Sequence, residues 1–112
     1  MGQINWDDFQ KVDIRVGTVV EVKDLPEARK SAYLMRINFG DEIGILKSSA
    51  QITDLYRKED LLDKQVVAVV NFPPKQIGHV MSQCLVLGFR REDDAVVLAV
   101  PDREVVNGAR MV

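Results

Sequence analysis

Hydrophobic and polar residues alternate from Val12 to Lys23 with the period of two that puts successive side chains on opposite faces of a β-strand. Val12, Ile14, Val16, Thr18, Val20 and Val22 form the more apolar face, against Asp13, Arg15, Gly17, Val19, Glu21 and Lys23 on the other. This is a long strand, and Gly17 in its middle predicts a bulge or sharp bend. Bent there, one strand can serve both halves of a small closed barrel. Leu25-Pro26 ends it. The alternation returns over 32–39, with Tyr33, Met35, Ile37 and Phe39 on one face and Leu34, Arg36 and Asn38 on the other. Gly40-Asp41-Glu42 predicts a hairpin turn, and Ile43 to Lys47 the return strand.

Ahead of the first strand, Asn5 is a good helix N-cap with Asp8 three positions on, which predicts about one helical turn. Trp6 and Phe9 on that turn are expected to cover one end of the core. Ser48-Ser49-Ala50-Gln51 resembles a capping box and predicts a short helical segment through Tyr56, followed by a solvated connection at Arg57-Lys58-Glu59-Asp60. Gln65 to Phe72 is nearly all apolar, as in a strand covered on both sides. Gln83 to Phe89 and Ala95 to Val100 form a further pair joined by the charged turn 91–94, and Val105 to Val112, with Asn107-Gly108 as a turn, predicts a small hairpin. The order lacks βαβ alternation. It fits an all-β, five-stranded Greek-key barrel of the OB type, with short helices at the N-terminus and between strands 3 and 4. Residues 1–112 read as a single domain, without repeats or linkers.

The segment between the fourth and fifth strands breaks this pattern. Pro73 and Pro74 lock φ and remove two backbone donors, so no paired strand continues past Phe72, and Gly78 permits a turn. The intervening loop carries Ile77, Val80 and Met81, side chains that a soluble domain normally hides; that composition predicts a contact surface.

Charge changes the picture in one respect. A net charge of −2 argues against a general nucleic-acid binder, so RNA would have to be met by a local basic patch. No apolar run approaches the roughly 20 residues of a membrane helix, and the acidic start is not a secretory signal, so no membrane insertion and a cytoplasmic location are expected. One cysteine, Cys84, and one histidine, His79, leave no metal-binding or nucleophilic spacing, and the glycines match no nucleotide loop. Cofactors and catalytic residues are therefore expected to be none, and the chain reads as a binding protein.

Three segments carry a family resemblance. Val12-Asp13-Ile14-Arg15-Val16-Gly17 resembles the opening of the OB-type tRNA-binding domain found after methionyl-tRNA synthetases and in the endothelial-monocyte-activating polypeptide. Lys47-Ser48-Ser49-Ala50-Gln51-Ile52-Thr53 and Asn71-Phe72-Pro73-Pro74-Lys75-Gln76-Ile77-Gly78 resemble a narrower branch, the CsaA-type secretion chaperones. The resemblance implies a homodimer that binds unfolded or precursor polypeptides, works with the secretion machinery, and has tRNA as a second ligand class. Where tRNA-binding relatives typically carry Ser-Glu-Gly-Met, this chain has Ser82-Gln83-Cys84-Leu85, and loss of the glycine removes a close backbone approach.

Two ligands thus have candidate residues. Phe72, Pro74, Lys75, Ile77, Val80 and Met81 could form an apolar peptide groove, with main-chain hydrogen bonds adding sequence-tolerant affinity. The same apolar residues could instead be buried between two copies of the chain. For RNA the candidates are Arg15, Arg36, Lys47, Lys75, Ser82 and Arg90, with His79 beside them. The alternative to a chaperone is a free-standing, structure-specific tRNA-binding protein; an enzyme has no residue constellation behind it.

Overall fold

The computed structural model describes residues 1–112. Nine strands and two short helices follow one another as α1 (Trp6–Gln10), β1 (Ile14–Asp24), β2 (Tyr33–Asn38), β3 (Ile45–Ala50), α2 (Lys58–Leu61), β4 (Gln65–Val69), β5 (Lys75–Ile77), β6 (Val80–Ser82), β7 (Leu85–Val86), β8 (Gly88–Arg90) and β9 (Val96–Leu98). Five of them form one antiparallel sheet in the order β3-β2-β1-β4-β7, rolled into a nearly closed barrel consistent with an OB fold. The pairs β5–β6 and β8–β9 are separate two-stranded ribbons.

β1 does serve both halves of the barrel. Residues 14–18 pair with β4 and 18–24 with β2, so the strand changes partner at Thr18. The register shift lies between Val19 and Glu21, which makes Val20 the extra residue of a bulge three positions beyond the glycine. The bulge switches which parity faces inward. Gly17 and Val19 are buried and Val20 is exposed, whereas past the bulge Val22 lies opposite buried Met35. Gly17 is needed for space. A Cβ there would stand 2.6 Å from Ile37 Cγ2 and 2.8 Å from Phe39 Cδ1, side chains that are themselves buried.

The alternating face of β2 is the heart of the core: Tyr33, Met35, Ile37 and Phe39 are all buried, with Val19, Leu61, Val66 and Ala68 packed around them. β4 is buried from Val66 to Val69, as its unbroken apolar run implies.

Four local expectations are corrected. Ser48, Ser49 and Ala50 end β3 instead of opening a helix, because their pairing with Met35, Leu34 and Tyr33 buries Ser48 completely. The helix forms later, at Lys58–Leu61, where Leu61 enters the core and Asp60 accepts from the Arg57 N–H at 2.9 Å. The Asn5–Asp8 capping box forms as expected, yet Trp6 is 62% exposed and stacks only on Phe9, with ring centroids 5.4 Å apart. Those aromatics do not cover the core. Finally, residues 108–111 form no hairpin but run beside β1: Gly108 donates to the Val16 carbonyl, Val16 to Ala109 and Met111 to Ile14.

A cleft at the seam of the barrel

The sheet order leaves β3 and β7 as unpaired neighbours, and a short stretch after β6 bridges the gap between them. Gln83 N–H donates to the Lys47 carbonyl at 2.7 Å, and the Lys47 N–H returns to Gln83 Oε1 at 2.9 Å. The Ser49 N–H donates to Ser82 Oγ at 3.0 Å. One main-chain bond and two bonds to side chains stand here in place of the continuous ladder that a closed barrel would have. Cys84 fills the space behind them: it is buried, its Sγ lies 3.8 Å from the Lys47 carbonyl, and desolvation pushes its thiol up to about 11. That is a core thiol, not a nucleophile.

Beyond this bridge the seam opens into a cleft of about 770 Å³. The end of β3 with Gln51 and Ile52 makes one wall, 82–88 another, and Phe72, Pro73, Lys75 and Ile77 the third, with Arg90 and Val96 completing the lining. The 72–82 segment is an ordered hairpin, in which Ile77 faces Val80, Gln76 faces Met81 and Lys75 faces Ser82. Opposed residues share a face, so Lys75, Ile77 and Ser82 point to the cleft while Gln76 and Met81 lie on the other side. Gly78 takes the tight turn at φ 59°.

Of the six peptide candidates, Phe72, Lys75 and Ile77 meet in the cleft. Val80 shares their face of the hairpin without lining the cleft, Pro74 is exposed outside it, and Met81 faces away. The RNA candidates are more scattered. Lys75, Ser82 and Arg90 line the cleft, whereas Arg36 and Lys47 oppose one another on the outer wall of the barrel. Arg15 is engaged within the fold: its Nε donates to Asp13 Oδ1 at 2.6 Å and its Nη1 to the Gly108 carbonyl at 3.0 Å, pinning the 108–111 segment to β1. The hydrogen bond to Asp13, helped by its charge and opposed by desolvation, raises the guanidinium pKa. Ser82 is likewise occupied in closing the seam.

Gln51, Ile52, Gln83, Leu85 and Val96 belong to the cleft and were not legible as such. A polar Gln83 at the head of an apolar run was the available signal, since a glutamine there suggests a bond to make.

Residues 14–110 match the family model of the tRNA binding domain. The chain is 39% identical over 108 residues to a methionine–tRNA ligase of Pyrococcus abyssi, covering 96% of this chain but 14% of the ligase. Among solved structures, the CsaA chaperone protein from Picrophilus torridus shares 49% of its sequence at a TM-score of 0.91, covering 98% of this chain and all of that one. The chaperone CsaA from Bacillus anthracis is 45% identical at a TM-score of 0.92, covering 99% of this chain and again all of the other. A seam-closed OB barrel that matches one domain model from β1 to Arg110, and two CsaA structures over essentially their whole length, belongs to the tRNA-binding domain family, with CsaA chaperones among its full-length structural neighbours.

Proposed function

We propose that this chain is a homodimeric chaperone that binds unfolded or precursor polypeptides destined for export, taking a client segment into the seam cleft of each subunit. The observation that carries this reading is the cleft itself, in which nine of the 17 lining residues are hydrophobic. Its volume accommodates a few side chains, which an extended segment of an unfolded client presents. Likeness to two CsaA chaperones supports the same reading. Exposed Phe89, Val106 and Met111 supply apolar surface for a second copy of the chain, and a dimer would offer two weak sites that gain avidity on a long client. The partners would then be the client polypeptides and the cytoplasmic side of the secretion machinery.

A second reading is that the chain binds tRNA, alone or alongside polypeptide. It is favoured by the family model and by Lys75 and Arg90 lining the same cleft as exposed Phe72, an aromatic on which an unpaired base could stack. Competition between tRNA and an unfolded polypeptide for the purified protein, repeated across salt, separates the two. tRNA affinity should fall steeply with salt and apolar peptide affinity should not. Ile77→Glu should abolish suppression of client aggregation while sedimentation still reports a dimer. Loss of the dimer in that variant would assign Ile77 to the subunit interface instead, and full activity would remove the cleft from the account.

A further inference from the structure

The cleft is electrostatically one-sided. The chain carries 17 Asp and Glu against 15 Lys and Arg, yet the two charged residues that line the cleft, Lys75 and Arg90, are both cations. Both are exposed, and neither forms an ion pair; Arg90 Nη1 donates only to the Asp94 carbonyl at 3.2 Å. Several cations elsewhere are paired, Arg15 with Asp13, Lys58 with Asp24 and Arg91 with Asp93, whereas Arg36 and Lys47 on the outer wall are unpaired but border no apolar cavity. Two uncompensated cations at the edge of an apolar cavity leave a site that attracts a carboxylate and repels an ammonium or guanidinium.

We infer that the cleft selects apolar polypeptide segments that carry Asp or Glu beside their hydrophobic residues, and discriminates against segments flanked by Lys or Arg. This rests on the polypeptide reading and adds the class of client. Ile77 and Lys75 share one face of the β5–β6 hairpin two residues apart, so a strand-like client could seat an apolar side chain against Ile77 and a carboxylate at Lys75 with its own alternation. Apart from these two, 13 Lys and Arg stand against 17 Asp and Glu, so the average charge of the rest of the chain does not favour a carboxylate and the preference is assigned to the cleft. A phosphate polymer would also be drawn to the two cations. Tight nucleic-acid binding, however, uses many phosphate contacts, and this cleft offers two cations in a mainly apolar lining.

The test uses the full chain and three unstructured peptides of identical apolar alternation, with Glu, Gln or Lys at one flanking position, measured by fluorescence anisotropy. Exposed ion pairs contribute modestly, so the Glu peptide should bind on the order of tenfold more tightly than the Lys peptide, with Gln between. The preference should shrink in roughly 1 M salt, where screening acts within about 3 Å. Lys75→Glu combined with Arg90→Glu should reverse the order. The milder pair Lys75→Gln and Arg90→Gln should flatten it and covers any misfolding of the charge reversal. Equal binding of all three peptides, or an order that survives reversal, overturns the inference while leaving polypeptide binding in place. Failure to bind any of them removes the polypeptide reading as well. A short single-stranded RNA that displaces the Glu peptide and binds more tightly than it, with a steep salt slope, would make the cleft a nucleic-acid site and also overturn the inference.

Discussion

Replacing Gly17 by alanine puts a carbon where the barrel has no room for one. The new Cβ would lie 2.6 Å from Ile37 Cγ2, 2.8 Å from Phe39 Cδ1 and 2.9 Å from Phe39 Cε1, all inside van der Waals contact. Neither neighbour can retreat to solvent, since Ile37 is 0% and Phe39 1% exposed. Phe39 is also held through its backbone, whose N–H donates to the Gly44 carbonyl at 2.9 Å. Overpacking of this kind costs about 1–3 kcal/mol, and Gly17→Val, with two further carbons, should lie at or above the top of that range. For a domain of this size each kcal/mol shifts the midpoint by about 4 °C, so Gly17→Ala should melt about 4–12 °C lower in a circular-dichroism scan. Because the clash is with a specific ring, adding Phe39→Leu should recover part of the loss, with a coupling of about 0.5–3 kcal/mol. An unchanged melting temperature in Gly17→Ala would refute close approach as the reason for the glycine. Strict additivity with Phe39→Leu would show that the ring is not what the new carbon meets.

Met81→Glu tests the geometry of the hairpin: facing away from the cleft, it should keep client binding within about twofold of the parent, and a loss like that of Ile77→Glu would place the groove on the other face. Cys84 holds its proton in the folded state up to about 11 against an ordinary value of 9.0, so its contribution to stability is complete below pH 9 and disappears as pH rises towards 11. Urea denaturation across that window should show a loss of about 2 kcal/mol that Cys84→Ala lacks, and parallel alkaline limbs would contradict the burial. Removing the Arg15 clamp with Arg15→Met should speed amide exchange at Gly108 and Met111 well before the barrel opens; unchanged protection there would show that main-chain bonds alone hold the segment.

Much of the barrel is readable from residue order alone. Period-two alternation located β1 and β2, and the inward side of β2 from Tyr33 to Phe39 is the core that its pattern implies. The reason is local: a strand with one wet face must alternate, and a Pro-Pro pair must stop a ladder. Where local signals competed with pairing, pairing won. Ser48-Ser49-Ala50 has the side chains of a helix cap, yet three backbone partners on β2 and burial of Ser48 outweigh the preference of one turn. The bulge at Val20 likewise leaves no mark in composition, because it follows from β1 having to meet β4 and then β2 along one edge-to-edge path.

The cleft lay further from reach. Phe72 and Ile77 were legible because apolar residues beside a proline pair fall outside the barrel ladder, and Lys75 because it lies between them. Met81 was grouped with them by nearness in sequence, and the hairpin register separates them by turning alternate residues to opposite faces. Arg15 and Arg36 read alike as polar-face cations, but only Arg15 finds a carboxylate and a distant carbonyl to satisfy it. The seam itself exists only in three dimensions. Which strands remain unpaired is a property of barrel closure, and the side chains of Ser82 and Gln83 acquire their partners on β3 across more than thirty residues of chain. Sequence therefore determined the strands and the chemistry available to them, while tertiary structure decided which groups face one another, because that depends on register and closure.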